Sequence, residues 1–190
     1  MRCISCSSFS WNIICKSCQN NLLQANFKTR ELSKDFYVYS FYEYEDIKAL
    51  INTKYQFFGD RVFKTLAKLS VKRFALNFEF TNEVFVIPID DNTRHDFSQS
   101  AILAKSLKSK YLKPIFGKLR AKNKVKYAGK SLEFRKSNKR DFIYAGPKNT
   151  QVILVDDLVT SGQTILEAKK ILEQNNCEVL FAITLSDAFI

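Results

Sequence analysis

The chain has 190 residues, of which 46% are hydrophobic, and its formal net charge is +11. This length suits one core with a small appendage, and the hydrophobic fraction indicates a folded protein. The sequence has no apolar run of the length that a membrane-spanning helix needs, and the stretch after Met1 lacks the apolar core of a signal peptide. We therefore expect a cytoplasmic protein, and any attachment to a membrane would be peripheral, through a partner.

Four of the five cysteines form two C-x-x-C pairs, Cys3/Cys6 and Cys15/Cys18. Two such pairs allow four thiolates to surround one Zn²⁺. Disulfides or free thiols are the alternatives, and a reducing compartment disfavours disulfides. We expect structural zinc, because a segment this short cannot bury its own core and needs the metal to fold. Cys177 stands apart and is expected to be a small buried side chain.

The rest of the chain alternates between strand and helix patterns. The predicted elements are an edge strand at Phe36–Tyr42, helices at Asp46–Ile51 and Arg61–Leu69 separated by a break and cap at Gly59–Asp60, a strand at Glu83–Ile89, a helix at Ser98–Leu107 with Ser98 as N-cap, and a strand at Val179–Leu185. Such alternation predicts an α/β fold with a parallel sheet. We place this domain at residues 31–190 and the zinc-binding module at residues 1–30.

One stretch, Val152–Thr164, combines a strand, two acids and a small-residue turn. Its unbroken apolar start predicts a buried parallel strand. Asp156 and Asp157 then lie at the strand's carboxyl end, where open α/β sheets bind ligands. The turn leads into a helix whose first N–H groups favour an anion, while paired acids suit sugar hydroxyls. The segment predicts a ribose phosphate site, with an ordinary strand-turn-helix as the alternative.

This segment resembles the phosphoribosyl pyrophosphate (PRPP) signature of type I phosphoribosyltransferases. In that family the two acids hold the ribose 2′- and 3′-hydroxyls, and the loop holds the 5′-phosphate. The resemblance implies a type I phosphoribosyltransferase-like domain that binds PRPP with Mg²⁺. The implied PRPP-binding residues are Asp156, Asp157, Thr160, Ser161, Gly162, Gln163 and Thr164.

Residues 105–148 carry most of the positive charge, with fifteen Lys or Arg against only Glu133 and Asp141. Cations interleaved with aromatic rings are typical of a single-stranded nucleic-acid groove. A basic hairpin facing the phosphates of PRPP, or simple solubility, is the alternative. The predicted DNA-binding residues are Lys118, Arg120, Lys122, Lys124, Lys126, Tyr127 and Arg135.

The whole layout resembles the ComF/ComFC family of competence proteins, which join a four-cysteine zinc module to a phosphoribosyltransferase domain. Ile47–Gly59 is similar to that family's helix leading to a Lys-Tyr pair. His95–Gln99 keeps only the Phe and Gln of a family element, and in a later block Tyr127 replaces a Gln. The resemblance implies an accessory role in uptake of single-stranded DNA during natural transformation, alongside other DNA-uptake proteins at the inner membrane.

The sequence is compatible with an active enzyme and with a protein that only binds PRPP. Ile87–Asp91 could form a pyrophosphate loop, but Asp90 and Asp91 would repel that anion unless they bind metal. His95, the single histidine, is either a general acid or base or a polar surface residue. An active phosphoribosyltransferase of nucleotide metabolism is therefore the alternative function, and a regulator that senses PRPP is a third hypothesis.

Overall fold

The structure is a computed structural model that describes residues 1–90, 97–123 and 140–188. The helices in these ranges are α1 (Lys16–Leu22), α2 (Tyr44–Ile51), α3 (Gly59–Leu69), α4 (Val71–Asn77), α5 (Gln99–Ser106) and α6 (Gln163–Glu173), with a 3₁₀ helix at Asn52–Tyr55. The strands are β1 (Lys28–Ser33), β2 (Phe36–Ser40), β3 (Tyr42–Glu43), β4 (Val84–Pro88), β5 (Leu112–Pro114), β6 (Leu119–Ala121), β7 (Phe142–Tyr144), β8 (Gln151–Val155), β9 (Leu158–Val159), β10 (Glu178–Ile183) and β11 (Ser186–Asp187).

The main sheet has six strands in the order β1-β2-β10-β8-β4-β5. Only the β1–β2 pair is antiparallel, and the other four pairs are parallel. The prediction of an α/β fold with a parallel sheet is confirmed. Because β4, β8 and β10 run in the same direction, the residues that follow them meet at one edge of the sheet.

The prediction of an edge strand at Phe36–Tyr42 is wrong in one respect. Strand β2 lies inside the sheet, paired with β10 on one side and with β1 on the other. The outer strand is β1, whose sequence KTRELS has no buried residue. Its polar composition suits an edge with exposed backbone groups, and it gave no apolar alternation to detect.

Strand β8 is apolar from Val152 to Val155, and both of its faces are buried. Ile153 and Val155 belong to the buried cluster beneath α2–α5, whereas Val152 and Leu154 belong to the cluster beneath α6. All four residues are fully buried, so both faces of the central strand are covered. This three-layer arrangement is what a near-continuous hydrophobic strand in a parallel sheet requires.

Most predicted elements occur with shifted ends. Ser98 caps α5 as expected, because its hydroxyl accepts a hydrogen bond from the backbone N–H of Ala101 at 3.2 Å. Gly59 and Asp60 instead form the first turn of α3 rather than a break before it. The division into two units at residue 30 stays a prediction, and β1 begins at Lys28.

No helix in the ranges described above is long and apolar enough to cross a membrane.

Candidate functional site

Asp156 and Asp157 follow β8 directly, at the carboxyl edge of the sheet. A pocket opens there, lined by Asp156, Leu158, Val159, Thr160, Ser161, Gly162, Gln163, Thr164 and Ile165. Six of the seven predicted PRPP-binding residues thus surround one cavity. The seventh, Asp157, takes part in an ion pair beside it.

The turn before α6 depends on Gly162. This residue has a φ of +77°, in the left-handed region, and it is the N-cap of α6. A Cβ there would lie 2.7 Å from Cδ2 of Leu32 on the edge strand, so glycine is favoured by both conformation and space. The turn therefore presents the N-terminal N–H groups of an eleven-residue helix to the pocket.

Arg30 on the edge strand β1 forms a hydrogen bond to the loop that precedes α6. Its Nη2 donates to the carbonyl of Thr160 at 2.6 Å, and its Nε donates to Oδ2 of Asp187, also at 2.6 Å. Both side chains of this ion pair are largely buried. Arg30 lies on β1, so the missed edge strand supports the predicted phosphate loop.

Asp157 is held by a cation from a distant part of the chain. The ammonium of Lys54 lies 2.8 Å from Oδ2 of Asp157, and both side chains are mostly buried. Burial disfavours the charged ammonium, but Asp157 outweighs it and raises the pKa of Lys54. Lys54 belongs to the Lys-Tyr pair noted in the sequence, which had given no indication of its partner.

Asp156 has a different electrostatic environment. Burial, reinforced by the neighbouring charge of Asp157, raises the pKa of its carboxyl to about 8, although its side chain accepts a hydrogen bond from the Asp157 N–H at 2.8 Å. Burial therefore favours the neutral form of the Asp156 carboxyl in the absence of ligand. A neutral carboxyl can both donate to and accept from sugar hydroxyls.

Sequence reasoning missed a second ion pair at this edge. Asp90 follows β4 in the predicted pyrophosphate loop, with a φ of +49°, and Arg140 precedes β7. Their Oδ2 and Nη1 atoms are 3.1 Å apart, with side-chain exposures of 6% for Asp90 and 18% for Arg140. The charge of Arg140 also favours the ionised form of Asp156. Asp90 is thus paired with an arginine, and this pairing lessens its expected repulsion of pyrophosphate.

The four predicted metal ligands are brought together. The Sγ atoms of Cys3, Cys6, Cys15 and Cys18 all lie within 4.8 Å of one another, and none of the five cysteines forms a disulfide. The Cys6 and Cys15 sulfurs are 3.7 Å apart. A tetrahedral centre with Zn–S bonds of about 2.3 Å has edges of about 3.8 Å. The cluster therefore fits a tetrahedral metal ion.

Hydrogen bonds favour the ionised sulfur at two positions of this cluster, Cys3 and Cys6. Burial opposes ionisation of Cys3, yet backbone donors such as the Cys15 N–H lower the pKa of its thiol to about 6. Hydrogen bonds from Ser8 lower the pKa of Cys6. Hydrogen bonding to Cys15 instead raises the pKa of Cys18 to about 12, because neighbouring sulfurs compete for protons. A bound dication would remove this competition and release the remaining protons.

The predicted DNA-binding residues are only partly within the described ranges. Lys118, Arg120 and Lys122 are exposed and alternate with buried Leu119 and half-buried Ala121 of β6, as the extended pattern predicts. Lys122 also lies 3.7 Å from the carboxylate of Asp141. The other predicted residues, Lys124, Lys126, Tyr127 and Arg135, lie outside the described ranges, as do Asp91 and His95.

Cys177 is 4% exposed, which confirms the expectation of a buried side chain. Its thiol lies 3.4 Å from the carbonyl oxygen of Pro147 and 3.8 Å from the hydroxyl oxygen of Thr150. The residue is remote in sequence from the other cysteines and belongs to the core cluster beneath α6.

Comparisons with solved structures return phosphoribosyltransferases. An adenine phosphoribosyltransferase from Saccharomyces cerevisiae is 17% identical, with a TM-score of 0.42 over 90% of this chain and 88% of the other. An orotate phosphoribosyltransferase from Aeropyrum pernix is 18% identical, with a TM-score of 0.34 over 90% and 80%. UMP synthase from Leishmania donovani is 15% identical, with a TM-score of 0.40 over 66% of this chain.

The chain spans only 22% of the UMP synthase chain. No family model and no curated protein matches the sequence. The structural similarities named above have identities below 20% and TM-scores below 0.5, so only the residues of this chain can indicate a ligand.

Proposed function

We propose that the pocket after β8 binds the ribose 5-phosphate part of PRPP, in a phosphoribosyltransferase-like domain. The observation that carries this proposal is the convergence of the acid pair and the Gly162 turn on one cavity at the carboxyl edge of a parallel sheet. The helix N-terminus supplies N–H donors for the 5′-phosphate, and Asp156 and Asp157 supply oxygens for the two ribose hydroxyls.

The pyrophosphate of PRPP is assigned to the gap between the two carboxyl ends of β4 and β8. Lys54 pairs with Asp157, and Arg140 pairs with Asp90 and acts electrostatically on Asp156, so that both provide positive charge there. Mg²⁺ entering with PRPP would neutralise part of the pyrophosphate charge and could exchange with Arg140 at Asp90. These groups could stabilise a leaving pyrophosphate, which supports the alternative function of an active phosphoribosyltransferase.

The four-cysteine cluster is proposed to hold one structural Zn²⁺. Four sulfur donors and no open position are typical of structural rather than catalytic zinc. Cys3 and Cys18 are buried in the same cluster as Ile14 and Leu23. Metal binding would therefore fix the N-terminal segment against the core of the sheet domain.

The biological role that we propose is handling of single-stranded DNA during natural transformation, together with DNA-uptake proteins at the inner membrane. Two features support it: the resemblance in sequence to competence proteins, and the exposure of Arg120 on β6 and of Lys118 and Lys122 directly beside it. Exposed cations along an extended strand suit a nucleic-acid backbone.

Paired titrations on one preparation test this proposal. PRPP with Mg²⁺ and a single-stranded oligonucleotide are each titrated with and without the other, and release of pyrophosphate is followed with nucleobases present. The DNA-handling role predicts binding of both ligands without turnover. Turnover with a free base and no binding of DNA at low salt would establish the enzyme of nucleotide metabolism instead. A change in DNA affinity caused by PRPP would support a regulator.

A further inference from the structure

Glu167 on α6 makes contacts that the PRPP sequence motif does not explain. Its half-buried carboxylate accepts hydrogen bonds from two consecutive backbone N–H groups at the start of the β7 segment. Oε1 accepts from the N–H of Asp141 at 2.8 Å, and Oε2 accepts from the N–H of Arg140 at 3.3 Å. Because each oxygen binds a different residue, the carboxylate fixes both the position and the direction of this backbone.

The backbone at this point has a conformation that needs support. Asp141 has a φ of +52°, in the left-handed region that a residue with a Cβ adopts only at a cost. Its carbonyl accepts from the N–H of Lys122 at 3.1 Å, and the carbonyl of Arg140 accepts from the N–H of Asn123, also at 3.1 Å. The carbonyls are thus held from the β6 side and the N–H groups from α6. A costly backbone conformation persists where its surroundings determine it in this way.

The side chain that leaves this backbone reaches the carboxyl edge of the sheet. Arg140 pairs with Asp90 at 3.1 Å, and its charge acts on Asp156. The second carboxylate oxygen of Asp90 accepts from the N–H of Ala121 at 3.4 Å, so the partner of the guanidinium is itself held in place. The guanidinium therefore lies near the ends of both β4 and β8, where we assign the pyrophosphate of PRPP.

Helix α6 thus connects the two ends of the proposed ligand. Its N-terminus faces the pocket for the 5′-phosphate, and Glu167 lies four residues after Gln163, about 6 Å further along the axis. We propose that Glu167 is a positioning residue for PRPP, which holds the backbone of Arg140 so that the guanidinium meets the pyrophosphate while the helix N-terminus holds the 5′-phosphate. This inference rests on the proposed function, because it requires PRPP in that pocket.

The charge of Glu167 alone predicts the opposite effect on binding. Removing a negative charge near an anion site should strengthen the binding of pyrophosphate, because it removes a repulsion. Removing a group that positions Arg140 should weaken it. The direction of the change therefore distinguishes positioning from simple electrostatics.

The experiment compares two ligands that differ by the pyrophosphate at C1. Ribose 5-phosphate and PRPP, each with Mg²⁺, are titrated calorimetrically against wild type, Glu167→Ala, Glu167→Gln and Arg140→Gln, and against the double variant Glu167→Ala/Arg140→Gln. Glu173→Ala is the matched control, because Glu173 lies on the same helix and pairs with the side chain of Lys169 instead of a backbone. Circular dichroism checks that each variant is folded.

Glu167→Ala should weaken PRPP binding by about tenfold, the loss expected for one charge-assisted contact, and should leave ribose 5-phosphate binding unchanged. Glu167→Gln keeps one acceptor oxygen and should lose less, so it carries the test if the alanine variant does not fold. Arg140→Gln should show the same selective loss. Adding Glu167→Ala to it should have no further effect, because the two residues act as one unit. Glu173→Ala should behave as wild type.

The proposal is overturned if the folded Glu167 variants bind PRPP as tightly as wild type or more tightly. It is equally overturned if they weaken both ligands by the same factor, which indicates a general structural role, or if Glu167→Ala has its full effect in the Arg140→Gln background. A wild type that binds neither ligand is a different failure, because it refutes the ribose 5-phosphate site and, with it, the inference that rests on that site.

Discussion

Substitution of Gly162 provides a quantitative test of the geometry of the predicted phosphate loop. Alanine at a φ of +77° costs about 1–2 kcal/mol, because its Cβ crowds the backbone. Its Cβ would also lie 2.7 Å from Cδ2 of Leu32, and displacing that side chain costs about 1–2 kcal/mol more. We expect Gly162→Ala to lower the free energy of unfolding by about 2–4 kcal/mol.

The steric part can be separated from the backbone part by a double-mutant cycle measured by urea denaturation. In a Leu32→Ala background, Gly162→Ala should cost only the backbone part, about 1–2 kcal/mol. Gly117→Ala is the control, because its φ is +66° and its Cβ would meet only the flexible end of Arg120, at 3.0 Å. Equal losses for Gly162→Ala with and without Leu32 would refute the contact with the edge strand, and no loss at all would refute the left-handed turn.

Three further predictions concern charge and metal. The pKa of Asp156 is 3.8 in the unfolded chain and is raised to about 8 in the folded protein. Between these two pH values the folded protein keeps a proton that the unfolded chain has released. Wild type should therefore lose stability relative to Asp156→Asn as the pH rises from about 4 to about 8. After an allowance for solvent at the pocket mouth, the difference should reach about 2–3 kcal/mol at pH 8.5 in thermal or urea unfolding, and a constant difference from pH 4 to pH 9 would contradict it. Elemental analysis should find one zinc per chain in wild type and in Cys177→Ser, and none in Cys6→Ser. Wild type that contains neither zinc nor another metal after purification would contradict the assignment. In filter-binding assays, the affinity for single-stranded DNA should fall steeply as the salt concentration rises. A variant with Lys118, Arg120 and Lys122 all changed to glutamine should reduce the slope of log affinity against log salt by roughly two to three. An unchanged slope would exclude these residues from the interface.

The sequence predicted the parts of the site that are local in the chain. The apolar run of β8, the acids that follow it and the apolar stripe of α6 lie within about twenty residues, and each has a periodic or compositional pattern. The same is true of the two C-x-x-C pairs, whose spacing alone brings sulfurs from both pairs toward one point.

The parts that could not be predicted depend on contacts between distant residues. Lys54 and Asp157 are 103 positions apart, and Asp90 and Arg140 are 50 apart, so neither ion pair has a local signature. Arg30 lies on β1, a polar strand without the alternation that would have identified it. From sequence alone, a charged residue in such a strand cannot be distinguished from any other exposed charged residue, because the order of the strands in the sheet is not known.

The central claim is that the acid pair and the Gly162 turn hold ribose 5-phosphate. The measurement that tests it most directly is calorimetric titration of PRPP with Mg²⁺ into wild type and into a variant in which Asp156 and Asp157 are both alanine. The account predicts one site per chain in wild type and an affinity at least about tenfold weaker in the variant, because several charge-assisted hydrogen bonds are lost together. Equal affinity of the two proteins, with the variant still folded by circular dichroism, would contradict it and place the ligand elsewhere.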